Sequence, residues 1–197
     1  VNSMLDYCKS KKNAVVIGGG LLGLEAAYGL KQRGMNVTVL HLMDRIMERQ
    51  LDGKASQMLR HSIEQKGISI ITEANTEELI GVDGHVTQIR LKDGTILDAD
   101  LVVFAVGIRP NMALAQSAGL RCNRGVLVND TMQTYDPSIY AVGECIEHRN
   151  QTFGLVEPLW GQAFICASHL AEHGSLTFKA PTVPTQVKVS GCDVFSA

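Results

Sequence analysis

Residues 14–25 read AVVIGGGLLGLE, an apolar run stopped by three glycines and restarted with helical spacing. No other stretch narrows the possible folds as far. Ala14–Ile17 has the composition of a strand, and a helical pattern begins at Leu21. Between them the spacing Gly18-x-Gly20-x-x-Gly23 matches the strand-to-helix turn that carries a dinucleotide. Each glycine has a task in such a turn. Gly18 makes the tight turn, Gly20 admits a pyrophosphate to the backbone, and Gly23 lets the helix pack close to the strand. Gly19, Leu21 and Leu22 complete the candidate binding loop. The amides opening the helix offer unpaired N–H groups and a partial positive charge to the phosphates. A glycine-rich turn with no ligand is the competing reading, and the elements that follow weaken it.

The pattern predicts a helix over about 21–33, with Leu22, Ala26, Ala27 and Leu30 on its apolar face and Gly34 as its cap. A strand over 36–40 then completes a βαβ unit of ordinary length. Residues 41–49 read as a loop. A second helix fits Asp52–Lys66, with Met58, Leu59 and Ile63 apolar, and a third strand fits Ile68–Thr72. The rhythm then changes. Glu77–Val82 and His85–Leu91 flank Asp83-Gly84, a strong hairpin signal, and Asp93-Gly94 precedes Thr95–Leu97. These three strands predict a small antiparallel meander. Leu101–Ala105 reads as a fully buried strand from its unbroken apolar run. Beyond Gly107-Ile108-Arg109-Pro110-Asn111 come a short helix near 112–117 and a strand at 126–128. A further strand at Ile139–Val142 ends at Gly143. Pro158 suits the first turn of a helix that runs through Gln162 and Ile165 to Leu170. The tail 181–189 is extended, with Val183, Val187 and Val189 apolar.

With 45% hydrophobic and 19% charged residues in 197, the chain can build a packed core. A net charge of −2 with no long basic run argues against nucleic acid as a partner. No apolar stretch approaches the ~20 residues of a membrane span, and no signal-peptide core is visible near the N-terminus. The cysteines, Cys8, Cys122, Cys145, Cys166 and Cys192, are odd in number and form no CxxC. Neither a disulfide framework nor a zinc or other metal site is expected, and reduced thiols fit a cytoplasmic protein. The missing initiator Met and the abrupt end at Ala197 lead us to expect a piece of a longer polypeptide.

Three motifs in order resemble the pyridine nucleotide–disulfide oxidoreductase family of flavoproteins. They are Gly18–Glu25, Asp100-Leu-Val-Val-Phe-Ala-Val-Gly107-Ile-Arg-Pro-Asn111, and Thr134-Tyr-Asp-Pro-Ser-Ile-Tyr-Ala-Val-Gly143-Glu144. Within it, His41–Asp52, Cys122–Met132, Ala141–His148 and Val187–Ser196 are similar to the large subunits of bacterial NAD(P)H-dependent nitrite reductases. The resemblance implies an α/β architecture: a Rossmann-like NAD(P)-binding domain with an antiparallel β meander, plus the second segment of a split FAD-binding domain. The implied division is 1–112 for the nucleotide, 113–175 for the flavin segment, and 176–197 as a tail leading into the next region. It implies NADH passing hydride to FAD, and electrons moving through iron–sulfur and siroheme centres to nitrite. The N-terminal FAD segment and those downstream redox domains would lie outside these residues. The chain alone should then bind NAD(H), bind FAD poorly and lack nitrite reductase activity.

The resemblance also assigns roles. Glu25 faces the region of the nicotinamide. Val106 and Gly107 turn the chain beneath the nucleotide. Gly143-Glu144 stands where the family usually has Gly-Asp, whose carboxylate binds the sugar chain of FAD. Pro158 and Leu159 lie in the helix start that points backbone amides at the flavin. The residue after the second strand is His41, where an acid would read a ribose 2′-hydroxyl and select NAD. His41, Arg45 and Arg49 could instead meet a 2′-phosphate, so NADH against NADPH stays open, with NADH favoured by the resemblance. No residue need act as an acid–base catalyst, because hydride transfer belongs to the cofactors. No cysteine pair stands for a redox-active disulfide, and Cys145 and Cys166 read as small core residues. Other readings are a rubredoxin or ferredoxin reductase, the electron-transfer subunit of an assimilatory nitrate reductase, or a non-catalytic nucleotide-sensing module.

Overall fold

The computed structural model describes residues 6–172, 174, 176–181, 185–189 and 191–196. The chain divides into two compact units. Unit one is Val1–Gly107 with Pro184–Ala197, and unit two is Ile108–Val183.

Unit one begins with β1 (Asn13–Ile17), α1 (Leu21–Lys31), β2 (Asn36–Leu40), α2 (Gly53–Gln65) and β3 (Ile68–Ile71). An antiparallel meander follows, β4 (Thr76–Val82), β5 (His85–Leu91) and β6 (Ile96–Asp98), and then β7 (Leu101–Phe104). Strands β3, β2, β1 and β7 lie in that order in one parallel sheet. Alternation along the strands sorts the side chains into two cores. Ala14, Val16, Val37, Val39, Ile68 and Ile70 meet Leu24, Ala27 and Leu30 of α1 and Leu59 and Ile63 of α2. On the opposite face, Val15 and Leu40 meet Ile89 and Leu91 of the meander. Unit one is therefore three layers: helices, parallel sheet, meander. Asp52 caps α2 by accepting a hydrogen bond from the Ala55 N–H at 2.8 Å.

Three expectations about unit one are corrected. Leu22 is 70% exposed, and Leu24 takes the core position that the sequence pattern gave to Leu22. Met58 also points outward, leaving Ser56, Leu59 and Ile63 as the buried face of α2. The Leu101–Ala105 run is not fully buried. Strand β7 sits at the sheet edge and Phe104 is 61% exposed, so continuous apolarity here does not mean burial on both faces. At the far end of the chain, β11 (Thr185–Val189) and β12 (Cys192–Ser196) form a hairpin belonging to unit one. The predicted extended tail thus holds over Thr185–Val189, while Val183 lies outside the described residues.

Unit two contains α3 (Ala113–Ser117), β8 (Val126–Val128), β9 (Ile146–His148), β10 (Gln151–Thr152) and α4 (Val156–Leu170). Its sheet runs β10-β9-β8, with β8 and β9 parallel. The core is Met132, Ile146, Phe153, Ile165, Cys166 and Phe178. The expected strand at Ile139–Val142 is absent. Tyr140 makes only an isolated bridge to Gln133, and Ala141 donates its N–H to the Met132 carbonyl. The neighbour of β8 is instead Ile146–His148, a triplet whose Glu147 and His148 read as polar yet are buried.

Candidate functional site

In unit one the glycine loop lies where the sequence puts it, between β1 and α1. Gly18 has φ of 121°, a conformation that disfavours any side chain, and an added Cβ would lie 2.2 Å from the Ala105 carbonyl oxygen. At Gly23 a Cβ would fall 1.9 Å from the carbonyl oxygen of Gly18. These two glycines are needed by the packing itself. Gly20 is different. It caps α1 in an extended conformation open to any residue, and a Cβ there would meet nothing within 4 Å. The first-turn amides of α1 have no carbonyl one turn back to pair with. No side chain caps this end, and no acid stands in the first turn. An anion approaching Gly20 would therefore meet backbone donors and no carboxylate of that turn. Leu21 is half-buried and packs on the helix-side core, while Leu22 is exposed beside the loop. Glu25 is exposed on α1. Val106, 68% exposed, and Gly107 follow the Ala105 carbonyl against which Gly18 is packed.

His41 is buried rather than exposed in its loop: it is 8% exposed, and both ring nitrogens are engaged within the protein. Nδ1 accepts the N–H of Gly19 at 3.0 Å, and Nε2 lies 3.0 Å from Oε2 of Glu48. Because Nδ1 is an acceptor, the ring proton sits on Nε2 and is donated to the carboxylate. The Gly19 carbonyl in turn accepts the Met47 N–H at 3.0 Å. The loop after β2 thus clamps Gly19 through both of its peptide groups. Gly19 has no room for a side chain, since a Cβ would stand 2.9 Å from His41 Cγ and from Ile46 Cγ2. Ser56 ties the same loop to α2, its hydroxyl donating to the Ile46 carbonyl at 2.7 Å. Arg45 is half-buried beside Asp44, with Nη1 at 3.5 Å from the carboxylate and a buried Nε without a hydrogen-bond partner among the described residues. Arg49 is exposed.

In unit two the second candidate site is built from longer-range polar contacts. Gly143 donates its N–H to Gln162 Oε1 at 2.8 Å, which joins the glycine turn to α4. Gln162 is fully buried, and its Nε2 has no partner among the described residues. Glu144 projects outward, exposed. Helix α4 starts at Val156 without a side-chain cap. Pro158, buried, and Leu159, half-buried, lie in and just after its first turn, and Pro158 contributes no N–H there. The second candidate site thus combines exposed Glu144 after a glycine turn with a helix start that no side chain caps and that carries Glu157 in its first turn.

Around this turn runs a polar frame. Burial pushes the Glu147 carboxyl up. The Arg124 N–H at 2.7 Å, the Asn123 amide at 3.1 Å and the Gly125 N–H outweigh that and hold it below the usual carboxylate range. Asp130 takes a two-pronged contact from Arg149 and a 2.8 Å bond with His148, and these bring its pKa down to about 2. Burial pushes the thiols of Cys145 and Cys166 up, as for unreactive packing residues. Sequence reasoning missed Glu48, Glu147 and Gln162. Glu48 lies seven residues after His41 in a stretch read only as loop, and the other two are polar residues whose burial no hydropathy pattern reveals.

Residues 3–163 match the pyridine nucleotide-disulphide oxidoreductase family. The chain is 51% identical over 196 residues to "Nitrite reductase [NAD(P)H]" of Bacillus subtilis, covering all of this chain and 24% of that protein. It is 44% identical over 195 residues to the assimilatory nitrate reductase electron transfer subunit of the same organism, covering 99% of this chain and 25% of that one. The chain therefore spans about a quarter of the length of these curated relatives. Among solved structures, the ferredoxin reductase for the CYP199A2 system of Rhodopseudomonas palustris superposes with a TM-score of 0.84 at 30% identity, over 91% of this chain and 46% of that one. Among the described residues, no helix is long and apolar enough to cross a membrane. With a doubly clamped glycine loop in one unit and a glycine turn before an uncapped helix in the other, the chain belongs to the pyridine nucleotide-disulphide oxidoreductase family, whose members use FAD together with NAD(P)H.

Proposed function

We propose that this chain is the nicotinamide-nucleotide-binding part, with an adjoining flavin-binding segment, of a flavin-dependent nitrite reductase. In the complete protein, hydride from NADH would reduce FAD, and iron–sulfur and siroheme centres outside these residues would deliver electrons to nitrite, giving ammonia. Residues 1–112 would hold the nucleotide and 113–175 would contribute to the flavin site, in a cytoplasmic protein. Gly18, Gly19, Gly20, Leu21, Leu22 and Gly23 would cradle the pyrophosphate. His41 would hold that loop in shape, and Arg45 would lie at the adenosine end. Glu25, Val106 and Gly107 would border the nicotinamide. Gly143, Glu144, Pro158 and Leu159 would meet the flavin.

The observation that carries the nucleotide part is Gly20. Glycine at a helix start gives up chain entropy, and here neither backbone conformation nor packing asks for it. The space it leaves open is explained by a ligand that must come within contact of the backbone. The test is Gly20→Val. The variant should melt within a few degrees of the parent, since a Cβ at this position has no protein atom within 4 Å, yet lose NADH binding by nucleotide fluorescence. A variant that binds NADH as the parent does would refute the reading. The nitrite part rests on likeness to the Bacillus protein. The likeness to the electron transfer subunit favours a second reading, delivery to a separate acceptor protein. Steady-state NADH oxidation by the complete protein with nitrite alone separates the two.

A further inference from the structure

The position that reads the adenosine ribose in a strand–turn–helix nucleotide site is an acidic residue about twenty residues beyond the glycine turn. Here that position is His41, whose ring is turned inward onto Gly19. Its outer nitrogen, however, ends on a carboxylate. Glu48 Oε2 is 3.0 Å from His41 Nε2, and the Glu48 side chain keeps 25% of its surface open. Its other oxygen has no hydrogen-bond partner among the described residues. The backbone that carries the Glu48 carboxylate is held in place. Its neighbour Met47 is fully buried, donates to the Gly19 carbonyl, and holds a left-handed backbone with φ of 53° that a methionine rarely adopts.

We infer that Glu48 is the specificity-determining residue of the nucleotide site. Resting on the nucleotide-binding reading above, it restores from the following loop the carboxylate that the end of β2 lacks. Its free oxygen accepts a ribose hydroxyl of NADH. A 2′-phosphate brought to the same place sets a doubly charged group against it. His41 is the positioning residue between loop and acid: Gly19 fixes its tautomer, so its Nε2–H is always available to orient Glu48. The arginines do not cancel this charge, because Arg45 is drawn to Asp44 and Arg49, exposed, forms no ion pair with Glu48 among the described residues.

The experiment is titration of the chain with NADH and with NADPH, followed by nucleotide fluorescence, for the parent, Glu48→Gln, Glu48→Asp and Arg49→Ala. The parent should prefer NADH. Glu48→Gln should cut the NADH:NADPH affinity ratio about tenfold, the worth of one charged hydrogen bond. Glu48→Asp, which keeps the charge and folds more safely, should retain most of the preference. A ratio unchanged in Glu48→Gln, or equal weakening for both nucleotides with a lowered melting temperature, would overturn the assignment in favour of a scaffold role. A parent that prefers NADPH, with the preference abolished by Arg49→Ala, would overturn it in favour of arginine recognition. A parent that binds neither nucleotide would overturn nucleotide binding itself, and the role of Glu48 with it.

Discussion

Unit one and unit two solve the same problem, holding a glycine turn in place, with different materials. In unit one the turn after β1 is fixed by steric closeness, Gly18 against Ala105 and Gly23 against Gly18 between two apolar cores, and by two hydrogen bonds at Gly19 from the loop after β2. In unit two the turn at Gly143 is fixed by a buried amide, and the strand beyond it by the buried carboxylate of Glu147. Apolar packing tolerates loss of single contacts in proportion to their area. A buried polar frame does not, because removing one partner strands the others without water or a hydrogen bond.

The largest effect should come from Glu147→Leu, which leaves the Asn123 amide and the Arg124 and Gly125 N–H groups unpaired at a fully buried position. We expect a loss of about 3–5 kcal/mol, at about 1–3 kcal/mol for each donor left without its acceptor, seen by hydrogen exchange as collapse of protection across β8 and β9 with β1–β3 unaffected. Loss of protection in both units together would show that they do not behave separately. Leu24→Ala in unit one should cost about 2–5 kcal/mol by cavity formation, with chemical denaturation as the measure, whereas Leu22→Ala should stay within about 0.5 kcal/mol. Equal costs at the two positions would break the account of α1. Gln162→Leu should cost about 1–3 kcal/mol, since the Gly143 N–H loses its acceptor.

The smallest effect concerns acid. Asp130 has a folded pKa of about 2 against an ordinary 3.8. A carboxylate depressed by folding adds stability above its unfolded pKa and loses it as pH falls from about 3.8 towards 2. Acid unfolding followed by circular dichroism should therefore begin at higher pH in Arg149→Ala, which removes the first cause of the depression. An unchanged onset would mean that His148 alone suffices.

Unit one was largely legible in the sequence because its rules are local. Glycine spacing, strand alternation and Asp83-Gly84 act over a few residues, and each predicts an element the structure contains. What failed there was orientation. Leu22 and Leu24 are two positions apart on one helix, and only the sheet beneath decides which is buried. Unit two was less legible because its order comes from distant partners. Ile139–Val142 has strand-like residues but only an isolated bridge, whereas Ile146–His148, to which the sequence pattern gives no element, is a strand. Its charges are matched by Asn123–Gly125 and Asp130, about twenty residues upstream. The setting of His41 was hidden for the same reason: its ring is held between Gly19 and Glu48, the latter seven residues on.

The hairpin of β11 and β12 returns the chain to unit one after Ile108–Val183 has intervened. Cys192 Sγ lies 3.0 Å from the Ser62 hydroxyl of α2, joining residues far apart in sequence. Such a closure carries an entropy cost that grows with the length of the intervening loop, and contacts of this span form late. The order of folding follows. On a ribosome, the parallel sheet and meander have all their strands once β7 has emerged, while the hairpin must wait for the whole of unit two to be made. During that interval the surface that the hairpin will cover is open to water, and to other nascent chains.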